Sequence, residues 1–260
     1  MKRLFVPFVL VSTLVVFNAS GQTPVGFTGA YSEDFDSMTS SGTSYPAGWT
    51  GVRYAGSGTL DATLDPAVTT GSSSGGGIYN VGAAADGDRA LGVVASGSTI
   101  PRFGLQLVNN SGSTIDQISL TADSEQWRTG NNSSVNETVT FEYSLNASGI
   151  NDPTATFTAV PGLDLFEIQT GSTSGGAIDG NDPANRAGIA ALISGVGWAD
   201  GTTLTIRWSD LDAAGNDGMY ALDNLNISAV TVPEPSTVAM ISIGALALLW
   251  RRFRRCNGSA

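Results

Sequence analysis

The sequence predicts an all-β fold, an antiparallel β-sandwich. Short stretches alternate apolar with polar residues at period two, the pattern of a strand with one buried face. Helix signals are nearly absent. Gly, Ser, Thr, Asn and Asp, the residues that favour turns, fill the connections, and 33 of the 260 residues are glycine.

The chain opens on a targeting segment. Lys2 and Arg3 form a basic start, Leu4 to Phe17 is largely apolar, and the small residues Ala19, Ser20 and Gly21 follow. This is the layout of a secretory signal peptide over residues 1–21, cut by signal peptidase after Gly21 so that Gln22 becomes the new start.

Residues 22–231 are expected to form one exported β-sandwich. Phe103, Leu105 and Leu107 share one strand face, and Ile118 and Leu120 share another. Val139, Phe141, Tyr143 and Leu145 alternate with Thr140, Glu142 and Ser144. Leu204, Ile206 and Trp208 alternate with Thr205 and Arg207. Tyr220 with Leu222, then Leu225 with Ile227, mark the last strands. One-sided alternation requires two sheets that stack their apolar faces. The glycine-rich segments 71–77 and 171–176 are expected to be surface loops. Asp182 followed by Pro183 is the one helix-start signal, with room for a turn before Ala187–Ile193.

Several short segments occur in a telling order. They are Phe35-Asp36-Ser37-Met38 with Tyr45-Pro46-Ala47-Gly48-Trp49, then Asp88-Arg89-Ala90-Leu91-Gly92 and Asn109-Asn110-Ser111-Gly112-Ser113-Thr114-Ile115. Glu125-Gln126-Trp127-Arg128, Phe141-Glu142-Tyr143-Ser144, Ile206-Arg207-Trp208 and Ala221-Leu222-Asp223-Asn224-Leu225 complete the series. Together they resemble a jelly-roll-type module of secreted bacterial proteins. The resemblance implies a jelly-roll sandwich and carries no catalytic residue with it.

The other end is more specific. Val232, Pro233, Glu234 and Pro235 precede an uncharged run, Thr237 to Trp250, and Arg251, Arg252, Arg254 and Arg255 follow it. The run suits one short transmembrane helix, and arginines at one end act as a stop-transfer signal that stays in the cytoplasm. In this order the parts of residues 232–255 resemble the PEP-CTERM sorting signal of Gram-negative bacteria. The resemblance implies recognition by an exosortase, an inner-membrane precursor, and a product at the cell surface or outside the cell.

Charge and composition exclude much. The chain has no histidine, so a His-based triad and His-ligated metal are ruled out. One cysteine, Cys256, excludes an internal disulfide and Cys-ligated zinc. Of the 23 acidic residues only Glu234 lies past residue 232. Of the 12 basic ones Lys2, Arg3 and the four C-terminal arginines lie outside the exported part. It therefore keeps 22 acidic residues, six arginines and no lysine, a net charge of about −16. Such a surface argues against nucleic acid as a partner.

Few residues invite chemistry. Asp210, Asp212, Asn216 and Asp217 sit in a loop with Gly215 and Gly218, and oxygen ligands around glycine turns suit Ca²⁺. The same loop also reads as an Asx-rich hairpin. Asp179 with Asn181 and Asp182, and Asp86 with Asp88, are sparser versions. Trp49 and Trp198 lie in glycine-rich turns, where an aromatic face could stack on a sugar. Glu125, Glu137, Glu142 and Glu167 offer no motif that singles out a catalytic pair. Glu125 beside Arg128 reads as an ion pair. The reading is an exported, non-enzymatic surface or matrix protein serving adhesion or assembly in extracellular polysaccharide. A carbohydrate-binding module is the alternative, and a glycoside hydrolase a third.

Overall fold

The computed structural model describes residues 22–230. The expected signal peptide, the sorting motif at Val232–Pro235, the apolar run and the arginine cluster lie outside the described residues. Within them the strands are β1 (Val25–Phe27), β2 (Ala30–Glu33), β3 (Trp49–Ala55), β4 (Ala67–Thr69) and β5 (Gly77–Val81). They continue as β6 (Ala90–Val94), β7 (Ile100–Asn109), β8 (Ile115–Thr129), β9 (Thr138–Ser144) and β10 (Thr158–Ala159). The last are β11 (Leu165–Phe166), β12 (Gly176–Ala177), β13 (Arg186–Trp198), β14 (Thr203–Ser209) and β15 (Met219–Ala229). Among the described residues helix is confined to two single 3₁₀ turns, Asp36–Met38 and Pro161–Leu163. No helix there is long and apolar enough to cross a membrane.

The strands form two sheets. The first runs β1-β7-β14-β9-β10, with β3 also on β7 and β11 on β9. The second runs β12-β8-β15-β6-β5-β4, with β13 on β8 and β2 on β15. The long strands β7, β8 and β9, and later β13, β14 and β15, switch sheet at every step. That winding makes the sandwich jelly-roll-like, and its main ladders are antiparallel.

The core is the product of the alternation. Phe103, Leu105 and Leu107 from β7 meet Val139 and Phe141 from β9 and Leu204, Ile206 and Trp208 from β14. From the other sheet come Ile118, Leu120, Tyr220, Leu222, Leu225 and Ile227. Trp208 stacks on Phe103 at 5.5 Å and meets Phe141 edge-on at 4.9 Å. Burying each such side chain contributes about 1.5–3 kcal/mol.

Two elements go beyond the sequence reading. Ala187–Ile193, which that reading left open, is strand: β13 pairs with β8 in unbroken register from Arg186–Glu125 to Ser194–Gln117. The turn before it is real, with the Asp182 carboxylate accepting the Ala184 N–H at 2.9 Å. The apolar pairs 220/222 and 225/227 lie on one strand, not two. Its register shifts between Asp223 and Asn226, and Asn224 sits at φ 51°. The extra residue restores the inward phase after a slip from even to odd positions. Both glycine-rich segments are loops up to Gly77 and Gly176, where short strands begin.

Candidate functional site

The outward face of the first sheet holds a cleft of about 480 Å³. Its floor is a polar row made by register. Arg207 on β14 lies directly opposite Glu142 on β9, and Ser209 lies opposite Arg102 on β7. Arg207 donates through Nη2 at 2.7 Å and Nε at 2.9 Å to Glu142 Oε2, the one ion pair among the described residues. Arg102 donates to Ser209 Oγ at 2.7 Å.

Two loops wall this floor. Residues 145–157 fold back over the sheet, where Arg207 Nη1 reaches the Ile150 carbonyl at 2.9 Å and Arg102 Nη1 reaches Asn151 Oδ1 at 2.6 Å. Gly104 permits that approach, because a Cβ there would lie 2.2 Å from the Ile206 carbonyl and 2.8 Å from the Ile150 side chain. The loop after β3 brings Leu60 and Asp61, and Asn151 Nδ2 donates to Asp61 Oδ1.

Two aromatic rings line the cleft. The Arg102 guanidinium lies 4.0 Å from the Tyr54 ring centre, and that of Arg207 lies 3.2 Å from the Phe157 ring centre. Both rings are half-buried, and Leu60 is 55% exposed. Burial, and then the charge of Arg207, lowers Arg102 to about 10, so it stays protonated near neutrality. Asp152 is held well below the usual carboxylate range by hydrogen bonds from the N–H and hydroxyl groups of Ser148 and Thr154. The cleft thus combines aromatic and apolar surface with fixed donors and acceptors.

The sequence-derived candidates fall elsewhere. Trp49 is 5% exposed and Trp198 is 0% exposed, so neither can stack on a sugar. Trp49 packs between Phe35 and Phe103 and donates its indole N–H to the Tyr31 hydroxyl at 2.8 Å. Trp198 tilts against Phe27 at 5.0 Å and donates to the Thr202 carbonyl at 2.9 Å. Glu125 is not ion-paired with Arg128; its carboxylate accepts the Trp127 indole N–H at 2.8 Å.

The acidic loop divides. Asp210 and Asp217 turn inward and are buried, whereas Asp212 and Asn216 are exposed. The four do not converge. Among the described residues no three Asp, Glu, His or Cys side chains meet where they could hold a metal ion. Asp179, Asp182 and Asp86 cap their own turns.

Sequence reasoning missed Tyr54, Arg102, Arg207 and Phe157 as site residues. Alternation placed Arg207 and Glu142 outward, but the cross-strand register that unites them with Arg102 is not written in any one strand.

The PEP-CTERM protein-sorting motif matches residues 231–255. The chain therefore carries a signal for export and sorting to the cell surface. No curated protein matches it in sequence. Among solved structures it is similar to the K1 cleaved adhesin domain of Lys-gingipain from Porphyromonas gingivalis W83. That identity is 16%, over 78% of this chain and 99% of that one, with a TM-score of 0.43. It is similar to the CBM22-1 xylan-binding domain of Xyn10C from Paenibacillus barcinonensis at 11% identity, 78% and 94% coverage and a TM-score of 0.38. A third is the xylan-binding module CBM15, at 9% identity, 79% and 99% coverage and a TM-score of 0.40. Likeness at this level assigns the chain no ligand and no activity.

Proposed function

We propose that this exported protein is a non-catalytic surface or matrix component that holds extracellular polysaccharide in the cleft on the first sheet. One observation carries the reading: Tyr54, Phe157 and Leu60 offer apolar surface beside the fixed polar groups of Arg102, Arg207, Glu142, Asn151 and Asp152. Sugar rings have an apolar face that stacks on aromatic rings, and hydroxyls that need donors and acceptors at set places. An open cleft suits a chain passing through more than a small molecule enclosed in it.

The state of the carboxylates supports a binding role over hydrolysis. A glycosidase needs one carboxyl that keeps its proton near neutrality and a second close by. In the cleft Glu142 is ion-paired, Asp61 accepts from Asn151, and Asp152 is held ionised. The carboxyls that burial pushes furthest upward, Glu125, Asp210, Asp217 and Asp223, line no part of the cleft.

The ends supply delivery. In this reading signal peptidase removes residues 1–21, and residues 22–231 form the exported domain. Arg251, Arg252, Arg254 and Arg255 stop transfer at the inner membrane, and an exosortase acts at Val232–Pro235. A glycan array probed with the full chain tests the reading. Binding to a defined set of glycans, lost in Tyr54→Ala, is expected. No binding to any glycan, or binding unchanged in that variant, would overturn it.

A further inference from the structure

Behind the cleft wall lies a cluster of acids that nothing in the binding reading uses. The Tyr54 hydroxyl donates to the main-chain carbonyl of Asp210, whose side chain is buried. The loop from β14 to β15 carries Asp210 and Asp217, and the approach to β9 brings Glu137.

Each acid has one oxygen satisfied. Asp210 Oδ1 accepts the Leu211 N–H at 2.8 Å, Asp217 Oδ1 accepts the Ala213 N–H at 3.2 Å, and Glu137 Oε2 accepts the Gly218 N–H at 2.8 Å. The other oxygens of the two aspartates are orphans. Asp210 is 3% exposed and Asp217 is 5% exposed, and Oδ2 of each is buried without a hydrogen-bond partner. The fully buried Tyr220 hydroxyl beside them faces the Glu137 carboxylate. Buried polar atoms are nearly always paired, and an unpaired buried carboxylate oxygen asks for a cation or a proton.

No arginine offsets the cluster. The charged neighbours that act on Asp210 are Asp217 and Glu137, and those that act on Asp217 are Glu137 and Asp212. The loop backbone is held independently of any ion. Asn131 Oδ1 accepts the Asn216 N–H at 2.7 Å, and Asn132 Nδ2 donates to the Ala214 carbonyl at 2.7 Å. The aspartates are therefore presented inward by a clamped loop.

We infer that Asp210 and Asp217 bind a divalent cation, Ca²⁺, through their orphaned oxygens, with Glu137 adding charge nearby. Two carboxylates supply only part of a calcium shell, which leaves its remaining positions to water and other oxygen donors. That favours Ca²⁺ over Mg²⁺, because calcium accepts irregular oxygen shells and magnesium demands a near-ideal octahedron. Two carboxylates place the dissociation constant on the order of 10⁻⁴ to 10⁻³ M, the range of extracellular modules.

The test is thermal unfolding of the full chain in detergent, in chelator, in 5 mM CaCl₂ and in 5 mM MgCl₂, at matched ionic strength. Calcium should raise the melting temperature by about 2–8 °C and magnesium by less. Asp210→Asn with Asp217→Asn should remove the calcium response, while Asp116→Asn, exposed at the start of β8, should keep it. Terbium luminescence of the parent, displaced by calcium, reads binding directly if the double variant fails to fold. No calcium response in the parent, an equal response to magnesium, a response retained in the double variant, or terbium emission that calcium does not displace would each overturn the site. A melting temperature that rises on acidification and ignores calcium would make the proton the occupant and overturn it as well.

Discussion

Trp49 and Tyr54 stand five positions apart on β3, yet one belongs to the core and the other to the cleft. Trp49→Ala should destabilise the protein by about 3–5 kcal/mol, the usual result of truncating a buried aromatic. It also removes the indole N–H that the Tyr31 hydroxyl accepts, leaving that hydroxyl only its bond to Glu33. Tyr54→Ala should move the denaturant midpoint far less while weakening glycan binding about tenfold or more, as a truncated hot-spot aromatic does. Chemical unfolding followed by tryptophan fluorescence, run beside binding measurements, separates the two; equal loss of stability in both variants would show the cleft assignment of Tyr54 to be wrong. The reason the sequence misled at Trp49 is local. Pro46, Ala47 and Gly48 precede it and Thr50 and Gly51 follow it, so no apolar alternation marks its phase. Trp198 lies just past Gly195 and Gly197 and is masked in the same way. Trp208 was legible because Leu204 and Ile206 share its strand and its face.

Strands whose apolar residues alternate were legible down to the residues that face the core, as β7, β9 and β14 show. β13 was not. Its Ala187, Ala190, Ala191 and Leu192 favour helix intrinsically, and the long ladder with β8 overrides that preference. In β15 the sequence revealed a phase slip but not its resolution as a bulge within one strand. That bulge makes a specific demand. Asn224 holds a left-handed φ of 51°, which Gly and Asn tolerate and β-branched residues do not. Asn224→Val should therefore lower stability by about 1–3 kcal/mol, and Asn224→Gly by less, because glycine keeps the bulge while losing only the hydrogen bonds to Asp123 and Asp223. Equal loss in both would place the side-chain hydrogen bonds, not the backbone, in control. The cleft was illegible at this scale because it is assembled from four strands and two loops, and only register unites them.

Across the whole exported part, 22 acidic residues face six arginines, and several of the acids are buried. Burial, its first cause, raises Asp217 to about 7, Glu125 to about 7 and Asp223 to about 8. The unfolded values lie near 4. The native state thus keeps protons that the unfolded chain releases, so this stability is present below about pH 4 and is lost as pH rises through 7 to 8. Asp152 works in the opposite sense, since its depressed value withdraws stability only in strong acid. In chelator the melting temperature should accordingly be higher at pH 5 than at pH 8 and fall again in strong acid. A midpoint that climbs steadily from pH 5 to pH 8 would contradict the buried acids. Sorting is a property of the ends: neutralising Arg251, Arg252, Arg254 and Arg255 should redistribute the protein between membrane and exterior on fractionation, because positive charge fixes which side stays in the cytoplasm. An unchanged distribution would remove their stop-transfer role. The central claim is that the cleft on the first sheet holds polysaccharide. Affinity electrophoresis of the full chain through gels containing the matrix polysaccharide of the producing cell tests it most directly. The parent should be retarded, and Tyr54→Ala with Phe157→Ala, still folded, should run as in a gel without polysaccharide. A parent that runs unretarded, or a variant retarded as much as the parent, would contradict the claim.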